Sequence, residues 1–503
     1  MKRRALISVS DKRGLIDFAR SLNKLNFEII STGGTRRALE KAKIPVIRVE
    51  DATGFPECFS GRIKTLHPAI FGGLLFKRDD IGHSSTAKKL KIYPIDIVAV
   101  NFYPFEETAK KKRVSVGELI EQIDIGGPSL LRAAAKNADH VTAICDPGDY
   151  ERVVREIKSK GDTSIELRSE LAKKVFLRTA AYDLAITRTL SEGKNTGILL
   201  TNKTVLRYGE NPHQWGSYYD LYGSSGCRWK IHQGKEISYL NILDADGAKN
   251  LVWEFKEPAC ACIKHASPSG VAVDEDISRA FQKSYDADRI SAFGVIVALN
   301  RECPKKIIEK IADQKIFTEV IIAPSFSKEA LEYLAVRRPN IRVIEDNCPP
   351  GESTAFRSAL GGMLVQNQDA KIVSKKDLKV ATKAKPTKKQ IEDLLFAWKV
   401  AKHAKSNAIV FAKGLVTVGI GCGQTSRVDS TVIAARRAGE KAKGAVMASD
   451  AFFPFPDSVE EAAKHGISAI IQPGGSIRDE EVIAKANELK IPMVFTGVRG
   501  FRH

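Results

Sequence analysis

The chain has 503 residues, 43% hydrophobic and 28% charged, the balance of a soluble globular protein, which excludes a disordered, collagenous or silk-like chain. That length exceeds what one core organises, and about 150 residues per domain predicts about three units. Lys plus Arg outnumber Asp plus Glu by 79 to 60, and the formal charge of +19 permits nucleic acid, anionic small molecules or a merely basic surface. No run of about 18 apolar residues occurs, so no spanning helix is expected. The opening MKRRALISVSDK has basic residues but no apolar h-region or cleavage site, so secretion is not expected. Cys58, Cys145, Cys227, Cys260, Cys262, Cys303, Cys348 and Cys422 lack metal-type spacing and read as buried thiols of a reducing cytosol.

Residues 5–10, 27–32, 45–49 and 95–101 are short runs rich in Ile and Val, suited to strands buried on both faces. Helical spacing at 14–25 and 35–43 separates them, and this alternation predicts an α/β, Rossmann-like parallel sheet with helices on both faces. A helical stretch at 164–192 and a connector at 193–202 place a boundary near 198, giving domains 1–197 and 198–503. The second holds two motif-dense zones, 206–300 and 405–503, with subdomains of approximately 198–370 and 390–503. Between them the 371–389 stretch has eight lysines against one acid, Asp377, as a solvated surface stretch or linker would. No aromatic residues interleave there to stack on bases, so nucleic acid is not expected as a partner. ACIKHASPSG resembles KSNAIVFAKG, and SAFGVIVALN resembles SDAFFPFPD. Two such short matches fit a duplication or an accident.

The chemistry-bearing motifs lie at strand ends. The strand ending at Ser31 runs through Thr32, Gly33, Gly34 and Thr35 into a helix, which makes either an anion site of converging amides and hydroxyls or simply a tight turn. Parallel sheets place ligands beyond the carboxyl ends of their strands, so Ser8, Ser10 and Lys12 of SVSDK belong to the same rim. GRIKTLHP crowds Arg62, Lys64 and His67 among Gly and Pro, a composition that suits ligand contact. VNFYPF puts Tyr103 at a strand end, as donor, proton carrier or packing group. In IDIGGPSLLRAAAKN, Asp124 precedes a turn with Gly126 and Gly127 that opens a helix and offers amides to an oxyanion, with Lys136 two turns down.

SVSDK, STGGT, TGFPE, GRIKTLHP, VNFYPFEET and IDIGGPSLLRAAAKN together resemble the inosine monophosphate (IMP) cyclohydrolase domain of the bifunctional purine-biosynthesis enzymes. The second activity of that family is 5-aminoimidazole-4-carboxamide ribonucleotide (AICAR) formyltransferase. LRYGENPHQ, ISYLNILDADGA, IKHASPSGVAV, SAFGVIVALNR, KSNAIVFAK, VGIGCGQTSRVDS, SDAFFPFPDSV, IIQPGGSIRDEEV and MVFTGVRGFRH continue the likeness, in order, over nearly the whole chain. The resemblance implies a methylglyoxal-synthase-like first domain and a duplicated cytidine-deaminase-like α/β region after it. It also implies the last two steps of IMP synthesis, with AICAR, its formylated product FAICAR and the co-substrate 10-formyltetrahydrofolate as small-molecule substrates. A cytoplasmic homodimer without nucleic-acid or membrane partners goes with it. The PCxxC zinc string of deaminases is absent, so no catalytic metal is expected.

Formyl transfer needs a base, because the amine of AICAR is a feeble nucleophile. His265 in IKHASPSG suits that role, with Lys264 supplying charge or a proton toward the folate nitrogen. By the resemblance, Asn407 orients the reacting groups and His213 lies close to them. Arg207 with Tyr208, and Arg499, match nucleotide-holding positions; Arg427 and Asp457 match positions around folate or nucleotide. Ring closure needs orientation and polarisation, implied for amides around 124–127, for Lys64 or Lys136 as oxyanion donors, and for Tyr103 and Asp124 as proton carriers. Phe71 and Gly500 stand where many members carry His. Ser267 and Ser269 replace the common Asn and Cys, so neither position is an obligatory nucleophile.

Overall fold

The computed structural model describes residues 2–224, 229–351 and 354–503, in two compact units, Met1–Leu199 and Leu200–His503. In the first unit, β1 (Arg3–Val9), β2 (Phe27–Ser31), β3 (Ile47–Arg48), β4 (Ile97–Asn101) and β5 (Thr142–Ile144) form one parallel sheet ordered β3-β2-β1-β4-β5. Successive β1 residues serve opposite cores, as the two-residue period of a strand requires. Ala5 and Ile7 pack with the Leu15–Lys24 and Tyr150–Lys160 helices, and Leu6 packs with the Gly126–Lys136 helix. The helix expected at 35–43 begins earlier, at Gly33, so the glycine pair forms its first turn. The expected 164–192 stretch is the Ile165–Leu190 helix, started by Ser164, whose hydroxyl accepts the Leu167 N–H at 3.3 Å.

The second unit opens with β6 (Leu200–Leu206) and β7 (Gly216–Leu221), an antiparallel ribbon that claims the end of the expected connector. β8 (Lys230–Gln233), β9 (Ala259–Lys264), β10 (Ser267–Val273), β11 (Val295–Leu299), β12 (Thr318–Ala323) and β13 (Arg342–Glu345) form a sheet ordered β10-β9-β11-β12-β13-β8. After the ribbon β14 (Thr354–Ala359) and β15 (Gly362–Asn367) come β16 (Lys379–Val380), β17 (Ile409–Ala412), β18 (Thr417–Gly421), β19 (Val446–Ser449), β20 (Ala469–Gln472) and β21 (Met493–Phe495). Their order is β16-β21-β20-β19-β17-β18, which read backwards repeats the first sheet strand for strand. Each half also has one α-helix opened by a capping box, Tyr239–Val252 with Ser238 and Asn241, and Lys388–Lys402 with Thr387 and Gln390. The unit is a duplication.

Of the two matches that suggested this, one aligns, since ACIKHASPSG and KSNAIVFAKG each carry a buried strand into a tight turn. The other does not, because SAFG precedes β11 whereas SDAFF follows β19. The 371–389 stretch is more than a linker: it supplies β16, paired with β21, and the start of the Lys388–Lys402 helix, while its eight lysines stay exposed.

The halves join at their edges. Val273 N–H donates to Leu415 O at 3.0 Å, Val271 N–H to Thr417 Oγ1 at 2.9 Å, and Ala272 bridges Val416. A Cβ on Gly270 would run into Ser284 O, and one on Gly421 into Ser430 O, so glycine lets a helix press on each edge strand. Cys145, Cys260, Cys262 and Cys303 are buried thiols, and Cys58 and Cys422 are half-buried ones. Cys348 departs from the all-thiol expectation, being disulfide-bonded, and Cys227 lies outside the described residues.

Candidate active sites

In the first unit, cations gather at the carboxyl ends of the strands. A Cβ on Gly33 would stand 4.0 Å from Lys64 Nζ, and one on Gly34 would stand 4.0 Å from Lys12 Nζ and 3.9 Å from Arg37 Nη2. Three positive charges therefore border the first turn of the Gly33–Lys41 helix, whose amides and dipole favour an anion. Arg37 went unnoticed in the sequence because one Arg on a helix carries no motif. Ser8 Oγ lies 3.2 Å from Thr32 Oγ1 beside it. Asn101 Oδ1 accepts the Ser10 and Asp11 amides at 2.6 and 2.8 Å, clamping the SVSDK loop. The hydroxyls of Ser31 and Thr35 turn inward instead. Ser31 donates to Ile7 O at 2.7 Å, and Thr35 donates to Val9 O at 3.0 Å while accepting Val9 N–H at 2.9 Å.

Asp124 forms another wall. Its carboxylate accepts Gly127 N–H at 2.7 Å, so that amide is spent on Asp124. Its own N–H donates to Tyr182 Oη at 2.9 Å, and this hydroxyl donates to Gln122 O at 3.1 Å. Burial raises the Asp124 carboxyl above its ordinary value, against the pull of the Gly127 and Tyr103 amides and the Lys64 charge. A raised carboxyl beside a lysine charge is equipped to accept and return a proton. Gly126 abuts the GRIKT loop, since its Cβ would be 3.1 Å from Thr65 Oγ1. Arg62 in that loop pairs with Glu121. Lys136 is exposed at the far end of the Gly126–Lys136 helix, three turns down, not two. An axial rise of about 15 Å separates it from Gly126, so within one chain the fold does not bring it to Lys64 and Asp124.

In the second unit, His265 and Ala266 form the two-residue turn between β9 and β10, both left-handed at φ 55° and 56°. Asp244, 7% exposed on the Tyr239–Val252 helix, accepts the Ala266 N–H at 2.6 Å and also the His265 N–H. His265 is exposed at the apex. Lys264 Nζ donates to Phe293 O at 2.7 Å and stands 5.9 Å over that ring. The β10–β18 seam lays the turn beside loops 405–407 and 422–424, where Ser267 hydrogen-bonds Cys422. Burial raises the Asp244 carboxyl, opposed by the amides it holds and by the His265 and Lys405 charges. Gln424 O receives Asn407 N–H at 3.2 Å and Asn407 Nδ2 at 2.9 Å. Lys264, His265 and Asn407 thus come to one region.

Asp450, wholly buried, ties in the rest. Ser406 Oγ donates to its Oδ2 at 2.5 Å, Arg427 Nη2 to its Oδ1 at 2.9 Å, and Gly500 N–H to its backbone oxygen at 2.8 Å. The Arg427 guanidinium also reaches Phe452 O at 3.3 Å, so it braces the loop from inside. Asp457 is the first residue of its helix, and its Oδ1 accepts the Ser458 N–H at 2.6 Å. Arg207 and Arg499 are exposed, stacked over Tyr208 at 5.2 Å and Phe501 at 4.3 Å. Tyr208 O accepts Tyr239 N–H at 3.3 Å, which pins LRYG to the start of the helix that bears Asp244. His213 is exposed in the β6–β7 loop. Among the described residues, no group of three or more His, Cys, Asp or Glu is placed to hold a metal ion, and no helix is long and apolar enough to cross a membrane.

A family model described as the AICARFT/IMPCHase bienzyme matches residues 134–437, and one described as an MGS-like domain matches residues 14–129. The bifunctional purine biosynthesis protein PurH of Anoxybacillus flavithermus is 51% identical over 515 residues, covering 100% of both chains. The protein of that name from Bacillus cytotoxicus is 50% identical with the same coverage. The crystal structure of ForH matches 38% of this chain and 100% of its own at 32% identity, with a TM-score of 0.35.

Proposed function

The chain belongs to the AICARFT/IMPCHase bienzyme family, and from that premise we propose how its residues share the two reactions. It is a bifunctional enzyme: it transfers the formyl group of 10-formyltetrahydrofolate to AICAR and then closes FAICAR to IMP with loss of water. We assign ring closure to the first unit, with the division between the activities near residue 198. The observation that carries this is Asp124, half-buried, its carboxylate accepting the Gly127 N–H at 2.7 Å and raised by desolvation against the Gly127 and Tyr103 amides and the Lys64 charge. Asp124 and Tyr103 move the amide proton, and Lys64 meets the oxyanion that forms on the former formyl oxygen. Ser8, Ser10, Lys12, Thr32 and the backbone of the Gly33–Gly34 turn hold the ribose phosphate, while Ser31 and Thr35 fix that turn to β1.

In the second unit, His265 takes the proton of the 5-amino group as it attacks the formyl carbon, and Lys264 faces the departing folate nitrogen. Asn407 spends its Nδ2 on Gln424 O and keeps its Oδ1 to orient the amine. Arg207 and Arg499 hold the phosphate. A homodimer is part of the proposal, supported by apolar surface beside Lys264: Phe293 is 69% and Ile290 94% exposed in the single chain. A cytoplasmic location is part of the proposal, supported by the free thiols.

The deciding experiment is Lys64→Ala assayed on purified FAICAR. Losing one preorganised donor costs on the order of 2.7–4 kcal/mol, so kcat for ring closure is expected to fall about 10²–10³-fold while formyl transfer is unchanged. A raised KM with unchanged kcat would make Lys64 a phosphate anchor, and no change in either would remove it from the site.

A further inference from the structure

We infer that Asp244 is the positioning residue of formyl transfer: a carboxylate under the β9–β10 turn that holds the amides of His265 and Ala266 and so aims the imidazole. The inference rests on the reading of His265 as the base. Left-handed backbone at two successive non-glycine residues is costly and persists only where the surroundings enforce it. Charge-assisted hydrogen bonds from both amides to one buried carboxylate are such an enforcement.

The second half of the unit supplies an internal control. Asp393 is the sixth residue of the Lys388–Lys402 helix, as Asp244 is of the Tyr239–Val252 helix. Asp393 is 5% exposed, and its Oδ2 and Oδ1 accept the N–H groups of Gly414 and Leu415 at 3.0 and 2.8 Å. Gly414 and Leu415, at φ 62° and 58°, form the β17–β18 turn that matches His265 and Ala266. The preceding lysines match too: Lys413 Nζ donates to Lys443 O at 2.9 Å, as Lys264 does to Phe293 O. The carboxylate-held turn is therefore a device of the fold, used twice. Only at Asp244 does the held residue carry a titratable side chain, so only there does loosening the turn misplace a reacting group.

The test compares Asp244→Ala, Asp244→Asn, Asp393→Ala and His265→Ala in the full chain, measuring kcat and KM for formyl transfer, FAICAR closure and thermal midpoint. Small misplacements cost up to about 10²-fold in rate. Asp244→Ala is therefore expected to lower kcat about 10–100-fold with KM for AICAR little changed, Asp244→Asn to fall between it and the parent, and FAICAR closure to persist. Asp393→Ala is expected to lower the thermal midpoint by a similar amount while keeping kcat. Equal kcat losses in Asp244→Ala and Asp393→Ala would overturn the inference and leave only a stability effect. So would parental kcat in Asp244→Ala when His265→Ala is inactive. Full formyl transfer in His265→Ala would instead refute the base assignment itself.

Discussion

The two halves of the second unit fold alike and end in unlike apices. In the first half the held turn presents His265, and the β10–β18 seam places the 405–407 and 422–424 loops beside it. In the second half the apex is Gly414, and the seam brings Val273 N–H to Leu415 O. The next residue, Asp274, is clamped by Arg279 Nε and Lys283 Nζ, each at 2.7 Å, so ion pairs occupy the surface where the first half keeps the groups proposed to react. Chemistry is thus not a property of the repeated scaffold. On the proposed assignment it comes from one apex residue and from what the seam sets against it.

The sharpest way to break this comparison is His265→Gly, which gives the first turn the apex of the second. General-base assistance is worth about 10²–10⁴ in rate, so formyl transfer, followed as tetrahydrofolate release, is expected to fall by that factor. Glycine accepts a φ of 55° without penalty, so the thermal midpoint should not drop, and FAICAR closure should be intact. Undiminished transfer would mean that the two apices do not differ in function.

A smaller effect tests whether the halves act as one body. Glu254 of the first half accepts Lys402 Nζ at 2.8 Å and lies 3.0 Å from His403 Nε2, both of the second. Burial alone would raise the Glu254 carboxyl, but the His403 and Lys402 hydrogen bonds and charges win and hold it at about 2 against an ordinary 4.5. A carboxyl depressed in the folded state adds stability above its unfolded value, and that stability is lost as pH falls toward the folded one. Urea midpoints at about pH 6 and about pH 3 should therefore differ, with about 3 kcal/mol as the upper limit for this group. Glu254→Gln should flatten the difference, and an unchanged difference would deny the cross-half pair its weight.

Smallest is the paired substitution at the seam. Gly270→Ala and Gly421→Ala each push a Cβ into a helix carbonyl, Ser284 O and Ser430 O, and overpacking of this kind costs about 1–3 kcal/mol. Equal losses of urea midpoint are expected. A loss in only one variant would show that the two edges are not packed alike.

Much of the first sheet was legible because strands buried on both faces are continuous apolar runs, and 97–101 is one such run. The residues proposed to react lie in motifs that the sequence shows, His265 in a turn after a buried strand above all. The groups that hold them were not. Asp244 serves an amide 22 residues away, Asp450 a hydroxyl 44 residues away, and Asn101 a loop 90 residues away. A side chain bound to distant backbone leaves no spacing to find, and in SDAFFPFPD nothing sets Asp450 apart from Asp457. Ser31 and Thr35 lay in a legible motif, yet which hydroxyl faces the sheet is set by how the strand and the following turn pair with β1. Lys136 was misplaced because a helix separates its two ends along its axis however close they are in sequence.

The seam between β10 and β18 also bears on how the chain avoids sticking to others. Each half alone would offer β10 or β18 as an open strand edge, a template for foreign strands. Joining them hides both at once. The outer edges left to the two six-stranded sheets are β8 and β16, four and two residues long, which begin at Lys230 and Lys379. Short, charged borders of this sort discourage strand addition, so the duplication also shields the two large sheets from aggregation.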